Sequence, residues 1–267
     1  MRLLHLLGSS YHRFSPAYSK RNVPGIMAFT HRTNSFLKLS IALLILSAAV
    51  EMALLSATVY WLHYRAGKSF NILWDGGSFE LHGKPANLLL NQGHTSNGAA
   101  GTAFVAIGLG SLIVFWLRNR SLYRHGRVRG FAKFMYNFWL IMTFLSAWLS
   151  IAALVYVFYL TSHYSGQYID LTVASKLNNQ PYPNYDAYPL DAWTPENWLW
   201  SLLQLPTTAL WVQSERNDIR TYWMICQGWR YNLIPLASLG LLVLAAVVVD
   251  WRRARREERG KGRTIGA

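Results

Sequence analysis

Four apolar runs, at about 36–62, 99–117, 134–160 and 231–251, interrupt an otherwise polar chain. Each is long enough to cross a hydrocarbon core of about 30 Å as a helix. Their ends carry amphipathic aromatics, which gather at membrane interfaces. Tyr60, Trp61 and Tyr64 close the first run, and Tyr156, Phe158 and Tyr159 lie near the end of the third. The pattern predicts an all-α membrane protein. It is a four-transmembrane-helix bundle with a partly helical outer cap between spans three and four. The membrane domain covers 36–251, with outer loops 63–98 and 161–230 and an inner loop 118–133. It is flanked by a tail 1–35 without packed structure and a basic tail 252–267.

Within the spans, polar and small positions predict how the helices meet. Ala99, Ala103, Ala106 and Gly110 fall at helical spacing on one face of span two. Such small stripes let helix backbones approach closely in lipid. Thr143, Ser146 and Ser150 line one face of span three. Glu51 lies deep in span one, and an acid at that depth must face the bundle and find a partner. A span-three hydroxyl is one candidate for that partner.

The outer segments carry turn and capping signals. Trp74-Asp75-Gly76-Gly77 marks a tight turn in 63–98. In the longer segment, 181–189 is extended and rich in Tyr and Pro. Thr194-Pro195-Glu196-Asn197 then opens a helix, with a capping Thr, Pro in the first turn and an acid behind it. That helix puts Trp198 and Leu202 on an apolar side and Glu196, Asn197 and Ser201 away from it, and Pro206 ends or bends it. A second helix starts between Ser214 and Asp218 and carries Trp223, Cys226 and Trp229 towards span four.

Composition agrees with this reading. The chain of 267 residues is 52% hydrophobic and 14% charged, against about a quarter charged in soluble proteins. Its net charge of +14 is not spread evenly. Residues 1–38 carry +6, 118–133 carry +6 and 250–267 carry +4, whereas 63–98 and 161–231 carry +1 and −2. This alternation is the positive-inside pattern, which nucleic-acid binding does not require. It predicts that both termini are cytoplasmic, with Arg118, Arg120, Arg124, Arg127, Arg129 and Lys133 in the inner loop. Arg252, Arg253, Arg255 and Arg256 follow span four. Both clusters are expected to meet anionic lipid head groups. The single sequon, Asn119-Arg120-Ser121, lies on the inner side and should be unused.

The basic, acid-free, Ser-containing stretch 1–35 admits three readings: a mitochondrial presequence, a cytoplasmic tail, or a true start at Met27. The membrane is expected to be plasma or secretory-pathway, or mitochondrial under the first reading. One cysteine, Cys226, allows no intrachain disulfide. His82 and His94, twelve apart and without a clustered partner, read as solvated loop residues and not as metal ligands. His163 and Asp170 share a face only if the third helix continues past its apolar run.

Four spans with a larger second outer loop resemble tetraspanins and MARVEL-type proteins in topology. The Cys-Cys-Gly motif of the tetraspanin loop is missing, and so is the claudin pattern of Trp followed by two cysteines. Trp193-Thr194-Pro195-Glu196-Asn197-Trp198 and Trp229-Arg230-Tyr231-Asn232-Leu233-Ile234-Pro235 are similar to segments of fungal tetraspan membrane proteins, a resemblance covering about 36–251. It implies the four-span layout and no activity.

The chain shows no paired acids, His/Glu metal motif, nucleophile elbow or Gly-rich phosphate loop, so neither an enzyme nor a cofactor is expected. A tetraspan organiser is expected, with the bilayer and membrane proteins or further copies of itself as partners. The alternative is a small oligomeric transporter or channel component using Glu51. No nucleic-acid partner is expected.

Overall fold

The computed structural model describes residues 24–65, 67–122, 127–182, 192–205 and 213–264. Four helices among them are long and apolar enough to cross a membrane: Ser35–Tyr64, Asn91–Arg120, Gly130–His163 and Glu215–Arg256. Span one belongs to α1 (Pro24–Arg65), which begins inside the tail expected to lack structure. Span three is α4 (Arg127–His163) and span four is α7 (Gln213–Thr264). Residues 1–23 and 265–267 lie outside the described residues, as do Tyr185 and the rest of 183–191, and Pro206.

Three boundaries differ from expectation. Helix already starts at Asn91, ahead of the apolar run of span two, because the polar turns of α2 (Asn91–Gly101) pack on span one. The outer helix and span four, expected as separate elements, are one helix, α7, with Pro235 inside it. Proline there removes one backbone hydrogen bond, yet buried neighbours Leu233, Leu236 and Ala237 hold the axis. The helix also runs through the basic C-terminal segment to Thr264, where a polar tail was expected.

The spans form a ring in which α1 packs on α7, α7 on α4, α4 on span two and span two back on α1. The small-residue stripe departs from its expected course. Span two is α-helical over α2, π-helical over Thr102–Leu109, and α-helical again in α3 (Gly110–Leu122). A π turn holds more residues than an α turn and so rotates everything beyond it. Ala99 and Ala103 are buried as expected, but the face then passes to Ile107, Gly108, Ser111 and Val114. Ala106 and Gly110 are left half-buried. The Trp139 indole from α4 donates to the Ile107 carbonyl at 3.3 Å, inside this widened stretch. Gly108 is required here, since a Cβ would sit 2.5 Å from Ile45 of span one.

Outside the bundle, the first loop folds into an antiparallel hairpin, β1 (Ser69–Trp74) and β2 (Gly77–His82). Its two-residue turn has Asp75 and Gly76 at φ of 52° and 74°, the left-handed pair that a hairpin's twist demands. Phe70, Ile72 and Leu81 point into a core shared with the second loop. Backbone bonds stitch the loops together: Leu89 N–H donates to the Trp193 carbonyl at 2.8 Å, and Trp193 N–H to the Asn87 carbonyl at 2.9 Å.

The helix opened by Thr194, α6 (Pro195–Leu203), is capped as expected, its Thr194 hydroxyl accepting from Asn197 N–H at 3.2 Å. It does not lie with a polar side outward. Glu196, Asn197 and Ser201 are buried as well as Trp198 and Leu202, because each polar group finds a protein partner. Asn197 donates to the Thr161 carbonyl at 3.0 Å and Ser201 to the Gln167 carbonyl at 2.8 Å. Trp198, 0% exposed, donates through its indole to the Gly83 carbonyl at 3.0 Å. It packs edge-on to Trp193, with ring centroids 5.3 Å apart.

Trp198 therefore clamps the two outer segments, and Cys226, buried in the same core, reports on it. Trp198→Ala should cost about 3–5 kcal/mol. The measurement is maleimide labelling of Cys226 in detergent-solubilised protein. Labelling should be slow in the wild type and fast in the variant.

Candidate functional site

A buried polar column runs between span one, α2 and α7. Glu51 is 0% exposed, and its Oε2 accepts from the Asn232 amide at 2.8 Å. The same amide nitrogen donates to the Ser47 carbonyl at 3.0 Å. The partner thus lies on span four, and the expected bond to Thr143, Ser146 or Ser150 is not formed. Those hydroxyls are on α4, which faces α7 and span two rather than α1. Thr143 instead donates to the Trp139 carbonyl at 2.8 Å, and Ser150 to the Ser146 carbonyl at 2.9 Å, both within their own helix.

Asn232 enters the sequence pattern only as part of the lead-in to span four. An amide just below the interface, on a helix otherwise apolar, is the signal that points to it.

The column holds more polar atoms than it pairs. Glu51 Oε1, Ser47 Oγ, Ser96 Oγ and Gln92 Oε1 are buried without a hydrogen-bond partner. The Trp229 indole N–H lies beside the Glu51 carboxyl, short of hydrogen-bond geometry. A Cβ on Gly93 would meet Leu55, and one on Gly108 meets Ile45, so span two runs antiparallel to span one. That register sets Ser96 near the Glu51 turn and Gln92 further out. Unsatisfied buried polar groups are rare in native proteins, and each calls for a partner such as an ordered water, an ion or a ligand.

Above the column is a cavity of about 350 Å³. Its walls are mainly apolar, with Leu55, Val59, Leu62, Leu88, Leu89 and Pro195 among them. Gln92 and Trp229 belong to both cavity and column. The polar rim includes His63, Lys84 and His94. His82 is turned to its own loop, its Nδ1 2.8 Å from the Lys84 carbonyl oxygen. Among the described residues no group of three or more His, Cys, Asp or Glu is placed to hold a metal. His163 and Asp170 do not share a helix: α4 ends at His163, and Asp170 caps the short α5 (Leu171–Ala174).

A second polar site flanks the cap. Glu196 and Arg230 form an ion pair at 3.2 Å, largely buried. They line a cavity of about 340 Å³ with Thr161, Ser165 and Trp223. Trp223 is half-buried and lies 5.1 Å from the Trp200 ring. Burial pushes the Glu196 carboxyl above the usual range, while Arg230 and a Gln227 hydrogen bond pull it back.

The basic end of the bundle, opposite the hairpin, is partly self-satisfied. Arg118, expected to face lipid, is ion-paired with Asp250 of span four, and the Tyr136 hydroxyl donates to the same carboxylate at 2.7 Å. Spans two, three and four are joined there, because a carboxylate at the membrane boundary draws in the nearest cation. Arg120 lies over the Trp116 ring, and Arg255 over Trp251. Lys133, Arg252, Arg253 and Arg256 are exposed. Arg124 and the side chains of Arg127 and Arg129 lie outside the described residues.

Two outcomes test this geometry. Asn232→Leu strands the Glu51 carboxyl and should cost about 1–3 kcal/mol. In Glu51→Leu/Asn232→Leu, thermal unfolding should recover much of that loss, since the carboxyl deprived of its amide is removed with it. The second concerns pH. The raised Glu196 carboxyl binds its proton more tightly in the folded state. Its contribution is full below the ordinary carboxylate range of about 4.3 and declines as pH rises through the raised value. The wild-type minus Glu196→Gln difference in melting temperature should fall across that window and then level off.

No protein-family model matches the chain, and it has no significant match among curated proteins or solved structures. What it shares with tetraspan proteins is the number of helices fit to span a membrane, and these mark it as a multi-pass membrane protein.

Proposed function

We propose that this protein is a non-enzymatic scaffold of a membrane region, presenting a rigid outer cap on a four-span bundle. The observation that carries the reading is the cap itself. Both outer segments share one buried core with the outer ends of α1 and α7, so the cap cannot swing away from the bundle. A surface fixed relative to the bilayer suits holding neighbours in place. Outward-facing Leu46, Val105, Ile141 and Trp148 give lipid or neighbouring spans an apolar surface. Glu51, engaged by Asn232, acts as a strut between spans one and four.

In this reading both termini are cytoplasmic. The exposed Arg252, Arg253 and Arg256 meet anionic head groups, each contributing about 1 kcal/mol near the surface. The plasma or a secretory-pathway membrane suits this arrangement. A second reading, a small oligomeric transporter or channel component, is favoured by the unpaired atoms beside Glu51. It would use the carboxyl as an ionisable ligand.

Glu51→Gln separates the two. If the side chain is a strut, the substituted amide keeps the bond to Asn232, so abundance and localisation should match the wild type and Glu51→Ala alone should lower them. Proteoliposomes should show no Glu51-dependent proton or cation flux. Normal abundance in Glu51→Gln with loss of a permeability phenotype would establish the transporter reading instead. Orientation has its own check, because buried Cys226 stays silent to thiol reagents. Asn71→Cys should react with impermeant maleimide in intact cells, and Arg253→Cys only after permeabilisation.

A further inference from the structure

The 350 Å³ cavity between α1, the start of α2 and the cap falls within the size range of small-molecule sites, about 300–1,000 Å³. Three features limit what fits it. Its wall is predominantly aliphatic, so the body of the occupant is apolar. Its polar rim has Lys84, His63 and His94 and no acid, so a negative group is favoured there. Gln92, 1% exposed, lines it with a side-chain oxygen that accepts no hydrogen bond. A buried acceptor of this kind is unfavourable until a donor reaches it.

We propose that the cavity is a binding site for an anionic glycerolipid: an acyl chain along Val59, Leu62 and Leu88, a glycerol hydroxyl donating to Gln92 Oε1, and a phosphate at Lys84 and the two histidines. The location suits such a ligand. Val59 and Leu62 are on the last turns of span one, beside exposed Tyr60 and Tyr64, which belong at the head-group level. An acyl chain alone satisfies neither Gln92 nor the rim. An uncharged monoglyceride satisfies Gln92 and leaves Lys84 unused. A fatty acid does the reverse.

The scaffold and the site are independent: a bundle with fixed cap can bind a lipid whether or not it organises neighbours. The test uses full-length protein, delipidated in detergent, and native mass spectrometry with three probes: oleoyl lysophosphatidate, oleate and monooleoylglycerol. Lysophosphatidate should bind one to one and about tenfold or more tighter than either other probe, as expected for losing one charged or buried hydrogen bond. Lys84→Gln should erase its advantage over monooleoylglycerol, and Gln92→Leu its advantage over oleate. Val59→Trp, which fills the wall, should abolish binding, with slow Cys226 labelling confirming that the cap remains folded. If Val59→Trp unfolds the cap, Lys84→Gln, on a half-buried rim position, decides alone. Adding phosphatidylglycerol in nanodiscs distinguishes a bilayer source, which should compete with lysophosphatidate, from a free lysolipid, which it should not displace. Equal binding of all three probes, or binding unchanged in Lys84→Gln and Val59→Trp, would overturn the proposal and leave only annular lipid.

Discussion

A bilayer supplies no water to a stranded polar group, so each one inside the spans must be met by protein. The Asn232 amide meets that demand where it is greatest. From the outer part of span four it reaches both the Ser47 carbonyl and the Glu51 carboxyl of span one. These two helices then continue outward as neighbours, and the cap is built on them. Trp61 near the end of α1 donates to Asp218 near the start of α7 at 3.3 Å, closing the same seam above the membrane. The seam holds the helices in one register, and that register decides where the cap sits.

The cap has no disulfide to lean on, since Cys226 is the chain's single cysteine. Aromatic packing replaces the covalent link. Tyr182, Trp193 and Trp198 pack ring against ring between the hairpin and α6. Their polar edges are used as well: the Tyr182 hydroxyl accepts from Asp170 N–H at 2.9 Å, and the Trp198 indole reaches a hairpin-end carbonyl. At the end of the bundle away from the cap, the group of Arg118, Tyr136 and Asp250 joins spans two, three and four. Polar contacts thus bind the helices at both ends and within the upper half of the bundle. The lower middle rests on apolar packing around Leu44, Ile107 and Val243, with the Trp139 indole bond to the Ile107 carbonyl set within it.

The spans were legible because an apolar run of bilayer length has few alternative uses. The α6 start was legible for a similar reason: Thr194, Pro195 and Glu196 each perform a local task that needs no knowledge of the rest. The partner of Glu51 was not legible, because 181 positions separate it from Asn232 and no local pattern states how two helices are rotated. The π-helical stretch erased the Ala106 and Gly110 positions from the buried face, and Ala-Phe-Val-Ala-Ile-Gly carries no mark of it. The hairpin was there to be read. Asp75-Gly76 lies between Phe70 and Ile72 on one side and Phe79 and Leu81 on the other, the alternation of two half-buried strands. Burial of the polar face of α6 was hidden because its partners, the carbonyls of Thr161 and Gln167, are backbone atoms that every sequence possesses.

The central claim is that cap and bundle are one cooperative body joined along the seam between spans one and four. Hydrogen-exchange mass spectrometry of the protein in nanodiscs, with and without Asn232→Ala, tests it most directly. The account predicts that amides of Ser69–His82, Pro195–Leu203 and the outer turns of α7 exchange with a common protection, and that the substitution accelerates all of them together. Fast exchange confined to the bundle, with hairpin and α6 protected as before, would show that the cap stands independently and would contradict the account.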